Sequence, residues 1–300
     1  MDRARRGHVV DLTDDDENAQ SSNKRTRSHQ KASWEEHEGK VLFSYPPKEV
    51  AGSITLTVGD LACLREGEFL NDQIVDFYTS LLRKRMAPRE AERIHIFSSF
   101  LSKKLESKGS EHDVAKWTKG VDIFQKDYLM IPICKALHWT LAVVCFPGAE
   151  AMSVPCTGRG SSLLTFPCIL HFNSIRRSDP AVFRPIRAYL QREWDTKRRG
   201  TDGPRSFGEK EVWGGTPRCP QQDNDCDCGV FMLESLERMC IDQPEMGLLQ
   251  LMQLADAGGY LDRAHWYTTE DVAVKRASIR NSIEAIGKEQ VPPVDVSAYL

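Results

Sequence analysis

Tyr128-Leu129-Met130-Ile131-Pro132-Ile133-Cys134 and Trp139-Thr140-Leu141-Ala142-Val143-Val144-Cys145-Phe146, joined by Lys135-Ala136-Leu137-His138, decide the fold. Each apolar run has strand length and is rich in β-branched and aromatic residues, and the connector between them is short. The two read as neighbouring strands. Pro167-Cys168-Ile169-Leu170-His171-Phe172-Asn173 reads as a third. Strands this apolar, with helical patterns before and after them, predict an α+β domain with a central mixed sheet covered by helices on both faces.

Working outward, Asn71-Asp72-Gln73-Ile74-Val75-Asp76-Phe77-Tyr78 opens an amphipathic helix that runs to Leu82. Asn71 or Asp72 is its N-cap, and Ile74, Phe77, Tyr78, Leu81 and Leu82 recur at helical spacing. Val41–Tyr45, Ile54–Val58 and Ile94–Phe100 read as strands, and Val114–Thr118 as a short helix. Phe183, Ile186, Tyr189, Leu190 and Trp194 mark one further amphipathic helix, after which Asp195–Gly215 reads as a long basic loop. Val230–Cys240, Met246–Leu254 and Val272–Ile286 read as helices. The expected organisation is a polar tail over residues 1–40, one domain over 41–288 with surface insertions near 148–162 and 195–215, and a loose tail over 289–300.

The chain has 300 residues, a formal net charge of −3 and 40% hydrophobic residues. That is enough for a sizeable core, and global charge does not argue for nucleic acid. No run approaches the roughly 18 apolar residues of a membrane span, and no secretory signal opens the chain. Nine cysteines form no compact even framework, so a reduced, intracellular protein is expected. Cys219, Cys226 and Cys228 have no second Cys/His pair at zinc spacing, so no metal and no cofactor are expected. In the tail, alternating charge leaves little to bury. Val9-Val10-Asp11-Leu12, ahead of an acidic run, resembles a SUMO-interacting motif, suited to adding a strand to a basic sheet edge. Lys24–Arg27 reads either as a nuclear import signal or as a basic linker.

The chemistry gathers at Gln222-Asp223-Asn224-Asp225-Cys226-Asp227-Cys228-Gly229, a polar turn that ends in a thiol at the mouth of an apolar helix. A helix N-terminus favours a thiolate, and Gly229 lets a substrate backbone come close. A nucleophilic thiol needs a base, and the base needs an orienting group. His138 before a strand and Asn173 at the end of another supply both, as in the papain-like trio. Gln222 and the Cys228 backbone N–H supply an oxyanion hole. On the residues alone, His112, His171 and His265 remain alternative bases, Cys226 an alternative nucleophile, and a buried structural thiol the plain alternative.

His138-Trp139, then Asn173 after a strand, then Gln222-x5-Cys228-Gly229 resembles the SUMO-deconjugating cysteine proteases, also called ubiquitin-like-protein-specific or sentrin-specific proteases. Glu68–Tyr78, Trp117–Phe124 and Trp266–Arg280 resemble further segments of that family, and the likeness covers about residues 41–286. Tyr45-Pro46-Pro47, Glu68–Asn71 and the long spacings between site residues are similar to the branch that trims SUMO chains. The resemblance implies an adenain-like, papain-related fold. It implies an isopeptidase that cleaves after the Gly-Gly end of SUMO through a Cys228 thioester. SUMO and SUMO-conjugated proteins are the implied partners and the nucleus the implied setting; a monomer with no membrane and no direct nucleic-acid contact is expected. Phe69 and Trp139 take the places of two aromatics that clamp the Gly-Gly tail, and Asp72 the place that pairs with a basic residue of the modifier. One departure stands out: the family's third catalytic residue is Asp, and here it is Asn173, which orients without adding charge. A SUMO-binding pseudo-protease, and a protease for ubiquitin or another such modifier, are the alternatives.

Overall fold

The computed structural model describes residues 37–106, 115–150, 166–175, 178–242, 266–290 and 292–299. The Val9–Leu12 motif, Lys24–Arg27, His112, His265, Met246–Leu254 and most of the 148–162 insertion lie outside them. Strands β1 (Val41–Tyr45) and β2 (Ile54–Thr57) pair antiparallel as a separate two-stranded sheet. Helices α1 (Val58–Ala62), α2 (Asp72–Arg85) and α3 (Pro88–Arg93) lead into β3 (Ile94–Ile96) and α4 (Phe100–Glu106). Then come β4 (Tyr128–Lys135), β5 (His138–Cys145), β6 (Cys168–Phe172), α5 (Phe183–Lys197), α6 (Arg199–Asp202) and β7 (Trp213–Gly215). Helices α7 (Cys228–Glu237) and α8 (Thr269–Glu289) follow.

The central sheet has the order β3-β4-β5-β6-β7. Its inner pairs are antiparallel and its outer pairs parallel, so the sheet is mixed, and the domain is α+β as the apolar runs predict. Both faces are covered. Met130, Leu141, Val143, Leu170 and Phe172 pack with α2, α7 and α8. Leu129, Ile131, Ala142, Val144 and Ile169 pack with Leu101 of α4 and with Phe183, Ile186, Leu190 and Trp194 of α5. Burial on both sides is why these strands read as continuous apolar runs.

The N-cap of α2 is Asn71. Its side-chain oxygen accepts the Ile74 N–H at 3.0 Å, and its amide donates to Asp60 at 2.8 Å. Asp60 in turn closes a capping box with Thr57 on α1. Caps of this kind contribute about 1 kcal/mol each; here two of them lock the segment between α1 and α2.

Two expectations are corrected. Asp195–Gly215 is not a long loop: α5 runs to Lys197, α6 follows, and Trp213-Gly214-Gly215 pairs parallel with β6 as an edge strand. Phe207 and Val212 are buried in the core. The strand escapes a propensity reading because it is short and two-thirds glycine. The glycines serve packing: a Cβ on Gly214 would lie 2.8 Å from the Phe183 ring. The C-terminal tail is not loose over residues 292–299. Val296 is buried, Val294 N–H donates to the Gly287 carbonyl, and Lys40 donates to the Tyr299 hydroxyl. Ordered structure also begins ahead of residue 41, where Gly59 N–H donates to the Glu38 carbonyl at 2.9 Å.

Lys275 of α8 is buried and pairs with Glu234 at 2.5 Å and with Glu237, both on α7, while the Tyr78 hydroxyl of α2 donates to Glu237 at 2.8 Å. Burial works against the Glu237 carboxylate, but Lys275 and Tyr78 outweigh it and hold its pKa below the ordinary value. A depressed carboxylate stabilises the fold above its unfolded pKa, about 4.3, and that contribution is lost on further acidification. Lys275→Met leaves Glu237 without its cation, while Glu234 keeps Arg238 at 2.7 Å. The expected loss is at the lower end of about 3–5 kcal/mol by urea unfolding at neutral pH, partly restored by adding Glu237→Gln.

Candidate active site

The two strands at the centre of the sheet meet in a tight turn. Lys135 pairs with His138, which leaves Ala136 and Leu137 as a two-residue loop. Both are left-handed, at φ 49° and 64°, as a primed hairpin turn requires. Neither is glycine, and each such residue costs about 1–2 kcal/mol. The turn places His138 as the first residue of β5. Leu141 pairs with Phe172 across β5 and β6, so one further step along that register sets Asn173 opposite Thr140, near His138. The His138 Nε2 and the Asn173 side-chain oxygen lie 2.8 Å apart. That oxygen also accepts the Ile175 N–H at 3.1 Å, which fixes which end of the amide faces the ring. The imidazole is therefore held through Nε2, which leaves Nδ1 for a reacting group.

The thiol comes from α7. Asn224 shapes its approach: the side-chain oxygen accepts the N–H groups of Cys226 and Asp227, and its amide donates to the Asp227 carboxylate at 2.9 Å. This is an Asx turn feeding a helix start. Cys228 follows as the first helical residue and is buried. Its S–H donates to the Leu137 carbonyl at 3.8 Å, and the N–H groups of Trp139 and Gly229 face its sulfur. The sulfur thus rests against the backbone on either side of His138. Burial pushes the Cys228 thiol above its ordinary pKa, and those N–H groups pull the other way without reversing it. A base is needed to draw the proton from this thiol as it reacts. Cys226 is turned elsewhere, with its S–H on Asn224.

Segment Cys219–Gln222 clasps the end of β6. Gln222 N–H donates to the Ser174 carbonyl, Gln221 donates to the Asn173 carbonyl at 3.1 Å, and Ser174 donates to the Gln222 side-chain oxygen at 2.6 Å. Gln222 Nε2 donates to the Asn224 carbonyl at 2.6 Å, which occupies one of its two N–H groups. The other candidates divide. Trp139 is buried, donates its indole N–H to the Leu70 carbonyl at 2.8 Å, and packs on Gly229, where a Cβ would lie 3.1 Å from the ring and 3.0 Å from Leu70. Phe69, beside Leu70, is exposed. Asp72 is paired within the chain, with Lys103 at 2.6 Å. His171 is buried, with neither ring nitrogen hydrogen-bonded, and burial lowers its pKa to about 4. It is a neutral core imidazole packed edge-on against Phe183. No cluster of metal-ligating side chains occurs among the described residues.

A model of the Ulp1 protease family, C-terminal catalytic domain, matches residues 68–264. The chain belongs to this family of cysteine-type peptidases. Within it, the chain is 31% identical over 264 residues to the probable ubiquitin-like-specific protease 2A of Arabidopsis thaliana, covering 83% of this chain and 33% of that protein. It is 29% identical over 315 residues to sentrin-specific protease 7 of Rattus norvegicus, covering 83% of this chain and 29% of that one. The chain thus spans about a third of the length of these curated relatives. The crystal structure of a de-sumoylating protease superposes with a TM-score of 0.59 at 22% identity, covering 81% of this chain and 90% of that one, which places both in one fold.

Asn224, Gln221, Ser174 and Leu137 were not singled out from the sequence. Asn224 carried a signal: Asn ahead of a helix start is the residue that makes an Asx turn. Leu137 acts through its carbonyl, and Ser174 through its carbonyl as well as its hydroxyl, and backbone acceptors are announced by no side-chain pattern.

Asn173 yields the prediction for this Ulp1-family site. Asn173→Ala frees the imidazole to rotate and lowers kcat/KM by about 10- to 100-fold, less than loss of the base itself, about 10²–10⁴. Asn173→Asp sets a carboxylate against the ring and favours its protonated form. The acidic limb of the kcat/KM profile then moves up by about one pH unit. Steady-state kinetics across pH 5–9 reads both.

Proposed function

We propose that the domain is a SUMO isopeptidase that cleaves after the Gly-Gly end of SUMO. The observation that carries this reading is the buried Cys228 sulfur set against the Leu137 carbonyl and the Trp139 N–H, the two neighbours in sequence of His138, whose ring is held by Asn173. Family membership supports it, as do the names of the relatives, sentrin-specific and ubiquitin-like-specific proteases.

In this reading His138 accepts the Cys228 proton as the sulfur attacks the isopeptide carbonyl. The oxyanion meets the Cys228 backbone N–H and the second amide hydrogen of Gln222. The imidazolium then gives its proton to the departing lysine amine, and a thioester remains. Water, deprotonated by His138, attacks the thioester and releases the SUMO carboxylate and the thiol. Asn173 keeps the ring oriented throughout. Trp139, fixed to Leu70, is one wall of the channel for the Gly-Gly tail, and Phe69 is the other. A side chain on either glycine would meet these rings, which makes the tail a specificity element. Asp72 contacts a basic residue of SUMO and exchanges Lys103 for it. Val9, Val10, Asp11 and Leu12 add a second SUMO contact, and the Lys24–Arg27 cluster supports a nuclear setting. The Tyr45-Pro46-Pro47 and Glu68–Asn71 segments support trimming of SUMO chains.

Asn173 favours one other reading, a domain that binds SUMO but turns it over weakly. SUMO carrying a C-terminal vinyl sulfone separates the two. Covalent labelling mapped to Cys228 is expected. Retained binding without labelling supports the weaker enzyme, and preferential labelling by the ubiquitin probe reassigns the modifier. Cys228→Ser should cut hydrolysis of a SUMO–lysine conjugate by at least about 10⁴-fold; cleavage that survives this change removes Cys228 from the mechanism.

A further inference from the structure

Arg276 of α8 joins two segments that are far apart in sequence, 63–68 and the start of α7. Its Nε and Nη2 donate to the Asp227 carboxylate at 2.9 and 2.6 Å, its Nη1 to the Cys63 carbonyl at 2.7 Å, and its Nη2 also to the Glu68 carbonyl at 2.6 Å. One turn further along, Arg280 donates to the Leu64 carbonyl at 3.0 Å. Asp227 is the residue before Cys228, and its own carbonyl accepts the N–H groups of Val230 and Phe231 in the first turn of α7. Glu68 is the residue before Phe69, and Leu70 accepts the Trp139 indole. One guanidinium thus spans the gap between the segment that carries the thiol and the segment that carries the exposed aromatic.

We infer that Arg276 is a positioning residue that sets the width of the substrate channel, by fixing the Glu68–Leu70 segment against the start of α7. This rests on the reading of Cys228 as the nucleophile. The guanidinium suits the task. It is planar, always charged, and offers several donors in fixed directions, so it bridges a carboxylate and two carbonyls at once. The Asp227 carboxylate is held from both sides, by Arg276 and by Asn224. None of these bonds reaches His138, Asn173 or the Cys228 sulfur. Loss of Arg276 therefore changes how a peptide tail is held and leaves the intrinsic reactivity of the thiol in place. A lysine reproduces the charge but cannot reach Asp227, Cys63 and Glu68 together.

The test compares Arg276→Ala, Arg276→Lys and Arg276→Gln in the full chain with the parent, per active thiol counted by titration. The substrate is SUMO bearing a C-terminal coumarin amide, and the small reagent is iodoacetamide. The expected result is a loss of about 10- to 100-fold in kcat/KM on the SUMO substrate. Alkylation of Cys228 stays within about twofold of the parent, and Arg276→Lys recovers little of the loss. Hydrogen exchange gives a readout independent of turnover. The Ile74 and Phe231 amides, which follow the two joined segments, should exchange faster in the variants, while β4 and β5 amides do not. Equal losses of hydrolysis and alkylation, full recovery by lysine, or exchange raised evenly across the domain would overturn the inference. A parent that neither hydrolyses the SUMO substrate nor reacts with a SUMO vinyl sulfone would instead overturn the protease reading, and hydrogen exchange would still decide whether Arg276 positions the two segments. Where Arg276→Ala does not fold, the Lys and Gln variants carry the comparison.

Discussion

β5 is buried on both faces between two helical layers, and the rest of the site depends on that constraint. A strand covered on both sides has no freedom of register, because a slip by one residue exchanges the side chains that meet each layer. Leu141 and Val143 face α2, α7 and α8, while Ala142 and Val144 face α4 and α5. With the register fixed, His138 has one place to be, at the end of β5 beside the end of β6. The left-handed Ala136-Leu137 turn is tolerated because the pairing of β4 with β5, eight residues on each strand, over-determines it.

Much of this was legible in the sequence. The runs at Tyr128–Cys134, Trp139–Phe146 and Pro167–Asn173 announce strands because their burial leaves no polar face to alternate with. The α2 helix is legible through Asn71 and its apolar spacing. His138, Asn173, Gln222 and Cys228 each have a plain structural reading alone, and they stand out by their joint order and spacing, which resembles the family pattern. The edge strand at Trp213–Gly215 was not legible, since its pairing is imposed by β6 and by close packing against Phe183. Nor was the ring nitrogen that meets Asn173, which depends on how β5 and β6 approach in three dimensions. The upward pull of burial on the Cys228 thiol was not legible either: a helix start favours a thiolate, but burial depends on what lies over the helix.

The electrostatics of the site are correspondingly sparse. Among the described residues no carboxylate is hydrogen-bonded to the imidazole; its partner is a neutral amide whose oxygen is shared with the Ile175 N–H. The carboxylate nearest the thiol in sequence, Asp227, is tied to Arg276 and Asn224. Orientation, more than stored charge, is what this scaffold contributes.

The position of Arg276 in the chain also has a temporal consequence. α8 follows the thiol, the base and the Phe69 segment in sequence, so during synthesis all three leave the ribosome before the arginine that joins two of them. Domains fold as units from the N-terminal side as the chain emerges. A nascent chain that ends before α8 holds Cys228, His138 and Asn173 yet lacks the tie between the Glu68–Leu70 segment and the start of α7. Placing the fastening element last makes that tie a property of the finished domain.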